Sequence, residues 1–225
     1  MSVVSAPAGA PTAQARAAAA LRAAILDGEL RPGQRVSQEA WAERVGVSLI
    51  PIREALGQLA GEGLVTHRPR RGYAVTELDL ADLEEIYRLR RLLETDALVR
   101  GVPRATDTDV AELGEAAEAC SVAMRRGTVL HALAANRRFH DRLHALAGSA
   151  PLVRLIDQLW DTTEAYRALY YALPGERAET DAAHRAITAA VAARDAAAAV
   201  AAQDAHRGRA LTGLRRVLTA TPTVP

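Results

Sequence analysis

Leu21, Ile25, Leu26 and Leu30 recur at helical spacing and predict a first helix that stops near "DGELRPG", where Gly28, Pro32 and Gly33 punctuate a turn. Ser37 then suits the N-cap of a short second helix through Arg44, with Glu39 in its first turn. "VGVS" makes the next turn. Ser48 suits the cap of a third helix, and Pro51 is tolerated in its first turn because the N–H groups there lack an intrahelical partner. Leu56, Leu59 and Ala60 supply the apolar face of that helix. Past "GEG", two β-prone runs, Leu64 to His67 and Tyr73 to Thr76, flank "RPRRG" and predict a hairpin.

From Leu78 onward the pattern is helix after helix, with breaks at "GVPRATDTD", near Gly127, at "GSAP", at "LPGE" and around Arg194-Asp195. That predicts about six helices and no strand between residues 77 and 220. Within "TELDLADL", Thr76 and Asp79 compete as the N-cap that opens this region. The fold class is therefore mostly α: a winged helix-turn-helix over residues 16–76 and an all-α bundle over 77–220, behind a disordered leader at 1–15.

Composition adds two constraints. The 225 residues are 49% hydrophobic, enough for one large domain or two modest ones. A single cysteine, Cys120, excludes an intramolecular disulfide framework. The chain shows neither a signal peptide nor an apolar run long enough to cross a membrane, which places it in the cytoplasm.

The net charge of +1 conceals an asymmetry, and all 28 basic residues are arginine. Residues 16–76 hold nine arginines against six carboxylates, whereas the remainder to residue 225 holds nineteen against twenty-one. An excess of three is weak evidence for nucleic acid, so placement must carry the argument. In "SLIPIREAL", Ser48 and Pro51 fix the start of a recognition helix, and Arg53 lies one turn in, where a bidentate contact to guanine is possible. The loop "RPRRG" suits a wing, with Arg68, Arg70 and Arg71 near phosphates or the minor groove and Gly72 allowing a tight turn. The alternative is an ordinary solvated helix pair.

In the helical region, Asn136 and His140 are four apart and share a helix face. His184 and His206 flank the Arg194-Asp195 turn, and in an antiparallel hairpin each would lie about 16 Å from that turn, at one level. With His140 from an earlier helix, three neutral imidazoles could hold a divalent metal in the bundle core. The competing reading makes them ordinary core or surface histidines, as expected for His131 and His144.

The stretch from "ILDGELRPG" through "RPRRGYAVTEL" resembles the winged-helix domain of the GntR family of bacterial transcription factors. "YRLRRLLE", "NRRFHDRLHALAG" and "DAAHRAI" resemble its FadR-type branch, whose effector domain is called FCD. The resemblance extends from about Ala17 to about Leu218 and implies a homodimer on double-stranded operator DNA. By position it makes Arg35 and Arg53 operator contacts. Many members carry an arginine directly after the serine that starts the recognition helix, where this chain has Leu49 followed by Ile50.

The resemblance also implies a metal site of Asn136, His140, His184 and His206 for Zn, Ni or Mn, with Asn136 a neutral donor where many relatives have Asp. It makes Arg90 a pocket residue for a small carboxylate effector, against the alternative of a surface ion pair with Glu94. Arg91 is expected to be solvated. The resulting expectation is a regulator, most commonly a repressor, whose operator affinity responds to an organic acid. Its rivals are a regulator that senses the metal alone and a helical metalloenzyme.

Overall fold

The computed structural model describes residues 11–77, 79–171 and 175–220. Helix α1 (Ala13–Leu26) is capped by Thr12, whose hydroxyl accepts from the Ala15 N–H at 3.1 Å. The helix thus reaches into the expected leader, whose first ten residues lie outside the described ones. Helix α2 (Gln38–Val45) starts at Ser37, which accepts from the Ala40 N–H at 3.3 Å as its sequence position suggested. Helix α3 (Leu49–Gly61) follows, buries Ile52, Ala55, Leu56 and Leu59, and leads into strands β2 (Val65–Arg68) and β3 (Gly72–Val75).

A third strand, β1 (Arg35–Val36), pairs with β3 so that the sheet order is β1-β3-β2. Two residues are too few to show a period-2 pattern, which is why the sequence predicted only a hairpin. The pairing sets Arg35 opposite Ala74 and ties its backbone to the wing.

The rest of the described chain is helical: α4 (Leu80–Gly101), α5 (Asp107–Arg126), α6 (Val129–Ala145), α7 (Ala150–Thr162), α8 (Glu164–Tyr171), α9 (Glu176–Ala192) and α10 (Ala196–Ala220). Asp79 is the cap of α4, accepting from the Asp82 N–H at 2.7 Å, while the Thr76 hydroxyl instead donates to the Gly63 carbonyl. Among the described residues there are seven α-helices here rather than about six, because Thr163 interrupts α7 and α8 without a glycine or proline to announce it. The Thr163 hydroxyl donates to the Trp160 carbonyl at 3.1 Å, a local bond that competes with the helix ladder.

Helix α1 belongs to two domains at once. Its buried Ala17, Leu21, Ala24 and Ile25 share one core with Ile52, Leu56 and Leu59 of α3 and with Tyr166, Tyr170 and Tyr171 of α8. Each fully buried leucine of this kind contributes about 1.5–3 kcal/mol. A second core joins Leu98, Leu113, Phe139, Leu143, Ile187 and Val191 inside the bundle, and a third gathers Ala97, Leu152, Ile156 and Trp160.

Candidate nucleic-acid interface and metal centre

The exposed side of α3 carries Leu49, Ile50, Arg53, Glu54 and Gln58. Ser48 stands at the N-cap but makes no side-chain cap hydrogen bond, contrary to expectation, so its hydroxyl is spare at the end where the helix dipole favours anions. The Arg53 Nε donates to Gln38 Oε1 at 2.9 Å, which ties the recognition helix to α2. A cleft lined by Arg35, Ser37, Gln38 and Gly72 joins that contact to the wing.

Arg68, Arg70 and Arg71 are exposed around the wing turn, where the Arg71 N–H donates to the Arg68 carbonyl at 3.0 Å. Arg70 itself occupies the left-handed region at φ 64°. Among the described residues, none of Arg35, Arg53, Arg68, Arg70 and Arg71 has a carboxylate within ion-pair distance. Sequence reasoning did not find Gln38, whose role depends on a contact between helices. It noted Ile50 but not that 67% of it is exposed.

The histidine cluster forms where α6, α9 and α10 meet. The α9–α10 hairpin turns at Arg194, at φ 59°, and brings the His184 and His206 rings to 5.1 Å between centroids. His140 of α6 stacks on His206 at 5.3 Å, and its Nε2 lies 3.2 Å from the Nε2 of His184. Potential ligand atoms of the three side chains lie within 4.8 Å of one another. Two nitrogens bound to one ion at about 2.1 Å stand about 3.0–3.4 Å apart, so the His140–His184 spacing suits a shared metal.

Electrostatics favour the same use. Burial, reinforced by Arg209 and Arg90, pushes His206 down to about 3. Burial and the neighbouring imidazoles push His140 and His184 well below their ordinary value. Three neutral imidazoles keep their lone pairs for a cation. Asn136 lies one turn before His140 on α6, and its Oδ1 is buried without a hydrogen-bond partner. The donor set therefore fits a divalent metal. His144 is buried beside the cluster, its ring 5.8 Å from that of His140, but is not one of the three grouped imidazoles.

Next to the cluster, Glu94 is completely buried. It accepts from Arg90 Nε at 2.9 Å, Trp160 Nε1 at 2.8 Å, Gln203 Nε2 at 2.8 Å and Arg207 Nε at 3.1 Å. Burial alone would raise its carboxyl, but Arg90 and Arg207 outweigh that effect and hold it well below the usual range. Arg90 thus does pair with Glu94, though in the interior rather than on the surface. Its guanidinium also lies 4.1 Å from the Trp160 ring centre, and His140 lies 4.6 Å from the same indole. Arg91 is mostly exposed and reaches Asp204 at 3.5 Å.

Arg167 of α8 was not singled out by sequence. It is buried, lies 4.2 Å from the Trp160 ring centre, and is lowered to about 10 by burial and by Arg90. The signal was present in "EAYRALYY": Tyr170 and Tyr171 follow Arg167 at three and four residues and mark its side of the helix as the buried one.

The model for bacterial regulatory proteins of the gntR family matches residues 13–75, and the model for the FCD domain matches residues 85–209. The HTH-type transcriptional regulator McbR of Escherichia coli strain K12 is 32% identical over 170 residues, covering 75% of this chain and 77% of that protein. An uncharacterized HTH-type transcriptional regulator of Bacillus subtilis strain 168, YdhC, is 31% identical over 161 residues, covering 71% of each. The solved structure of E. coli McbR/YncC superposes with a TM-score of 0.77 at 26% identity, covering 92% of this chain and 99% of that one. A putative GntR transcriptional regulator from Rhodococcus sp. RHA1 superposes with a TM-score of 0.74 at 25% identity, covering 90% of this chain and 97% of that one.

Proposed function

This chain belongs to the GntR family of bacterial regulatory proteins and is a DNA-binding transcriptional regulator with an FCD domain, from which we propose that it is a cytoplasmic homodimeric repressor released by a small organic acid. Arg35, Ser48, Arg53, Arg68, Arg70, Arg71 and Gly72 form the operator surface in this reading. Arg53 reads a base edge from the recognition helix, and the wing arginines neutralise phosphates. On α4, Leu92 and Val99 are seven residues apart on one face and each more than half exposed, which supports contact with a second copy. Two copies on a two-fold axis would match a palindromic operator.

In the FCD domain, Asn136, His140, His184 and His206 would hold a divalent Zn, Ni or Mn ion. When bound, that ion would supply a Lewis-acid position for an oxygen of the effector. Arg90, oriented by Glu94 and flanked by the Trp160 indole, orients the carboxylate through its planar fork. The observation that carries this reading is the juxtaposition of three buried neutral imidazoles with that buried arginine across one indole. Its test combines elemental analysis of the purified chain with fluorescence anisotropy on duplex DNA from its own upstream region, against scrambled duplex, during titration with carboxylic acids. Specific binding weakened by an acid supports the reading. Operator affinity that follows metal alone would favour the metal sensor instead.

A further inference from the structure

Three guanidinium groups and one carboxylate share the interior behind the histidine cluster: Arg90, Arg167, Arg207 and Glu94. Glu94 pairs with Arg90 and Arg207, and Arg207 also meets Asp204. Among the described residues Arg167 has no carboxylate within ion-pair distance, and its Nε and Nη1 are buried without a hydrogen-bond partner. An unpaired charge in such surroundings is strongly unfavourable, and arginine does not escape by losing its proton at neutral pH. Its guanidinium shares the Trp160 indole with that of Arg90, whose Nη1 is likewise buried and unpartnered. Two cations beside one ring repel each other, so an anionic ligand relieves both the missing hydrogen bonds and the repulsion.

The number of forks limits what that ligand can be. One carboxylate has two oxygens and accepts one guanidinium fork bidentately. Arg90 is already allotted to the carboxylate beside the histidines. Arg167 brings a second fork on the same indole, and a second fork calls for a second anionic group.

We propose that Arg167 binds a second carboxylate of the effector, so that the pocket takes a short dicarboxylate crossing the Trp160 indole between Arg90 and Arg167; this rests on the acid-binding reading above and extends it. The ligand class follows from the unused donors of the chain itself: Nη1 of Arg90 at one end, Nε and Nη1 of Arg167 at the other.

The test uses the full chain as purified, with acetate, malonate, succinate and glutarate as probes against chloride at matched ionic strength, read by isothermal titration calorimetry and by the thermal midpoint. At least one dicarboxylate should bind about tenfold or more tighter than acetate. Arg167→Met should weaken that dicarboxylate about 30-fold or more and acetate far less. Without any carboxylate, Arg167→Met should melt above the wild type, because an uncompensated buried charge has been removed. Arg167→Lys, which keeps the charge but loses the fork, should retain only part of the preference and serves if the methionine variant does not fold.

A dicarboxylate preference that survives in both variants overturns the assignment of Arg167. So does an anion-free Arg167→Met chain that folds but melts below the wild type, since that would make Arg167 a structural residue. Equal affinity for acetate and every dicarboxylate overturns the second subsite while leaving the acid-binding reading intact. Binding of none of the four overturns that reading and the second subsite together.

Discussion

Gly63, just past the recognition helix, is in contact with Thr162 at the end of α7: a β-carbon on Gly63 would lie 3.1 Å from the Thr162 Oγ1 and 3.3 Å from its Cα. The contact joins the DNA-binding domain to the segment that carries Trp160 and Arg167. A second bridge runs beside it, where Arg22 of α1 pairs with Glu62 at the C-cap of α3 and reaches Glu164, the first residue of α8, at 3.4 Å. Glu164 is three residues before Arg167 on the same short helix. A displacement of α8 by ligand therefore has a direct route to the end of α3, through one close backbone approach and one half-buried ion-pair network.

Gly63→Ala tests this junction. Gly63 adopts φ +77°, where a side chain is strained, and the added methyl would also press on Thr162. The variant should lose about 1–2 kcal/mol of stability in chemical denaturation. It should also change the ratio of operator affinities with and without effector, because the approach of the two domains is altered. An unchanged ratio in a destabilised but folded variant would show that the signal travels elsewhere.

Arg53→Ala should cost about 1–3 kcal/mol of discrimination between operator and scrambled duplex. Gln38→Ala should have a smaller effect of the same kind, because it removes only the 2.9 Å bond that holds Arg53 in place. Loss of affinity that is equal on both duplexes would move Arg53 from base reading to phosphate contact. Anisotropy across a salt series separates the two, since a phosphate contact lowers the salt slope by about one.

Ile50 is the most exposed large apolar side chain among the described residues, and it stands in the first turn of the recognition helix. Such a side chain can read the C5-methyl group of thymine in the major groove. Ile50→Ala should weaken operator binding, and replacing thymines by uracils one at a time should reproduce that loss at one position. At that position the two changes should not add, because each removes one side of the same contact. Full additivity at every position would mean that Ile50 touches no methyl.

His184→Ala should lower metal content in elemental analysis. His184 also stacks on Phe139 at 4.1 Å between ring centroids, so some packing is lost whatever its other role. The discriminating readout is the response to chelator. A metal present at about 100 times its Kd stabilises by about 2.7 kcal/mol, so EDTA should lower the wild-type midpoint and leave that of His184→Ala almost unmoved. Equal EDTA responses would remove His184 from the ligand set.

These sites were not equally legible in the sequence. Ser37 as a cap, the arginine-rich wing and the His184–His206 register were readable because local propensity and helical spacing alone decide them. Strand β1 was too short to carry a pattern, and Thr163 divides α7 from α8 through a hydroxyl–carbonyl bond that no residue type announces. The Arg90–Glu94 pair was readable from its spacing of four, but not its burial against Gln203 and Arg207. Those contacts join α4 to α10 across more than 100 residues, and spacing within one helix says nothing about them.

Arg70 separates strain from function at the wing. Its backbone sits at φ 64°, a conformation that costs a side-chain-bearing residue about 1–2 kcal/mol and glycine almost nothing. Arg70→Gly should therefore leave the melting midpoint unchanged or slightly higher while weakening DNA binding and reducing the salt slope by about one. Arg71→Ala, with no such strain to relieve, should weaken binding without any rise in the midpoint. If Arg70→Gly binds operator as well as the wild type, the arginine reaches no phosphate, and the strained turn would need a reason other than DNA.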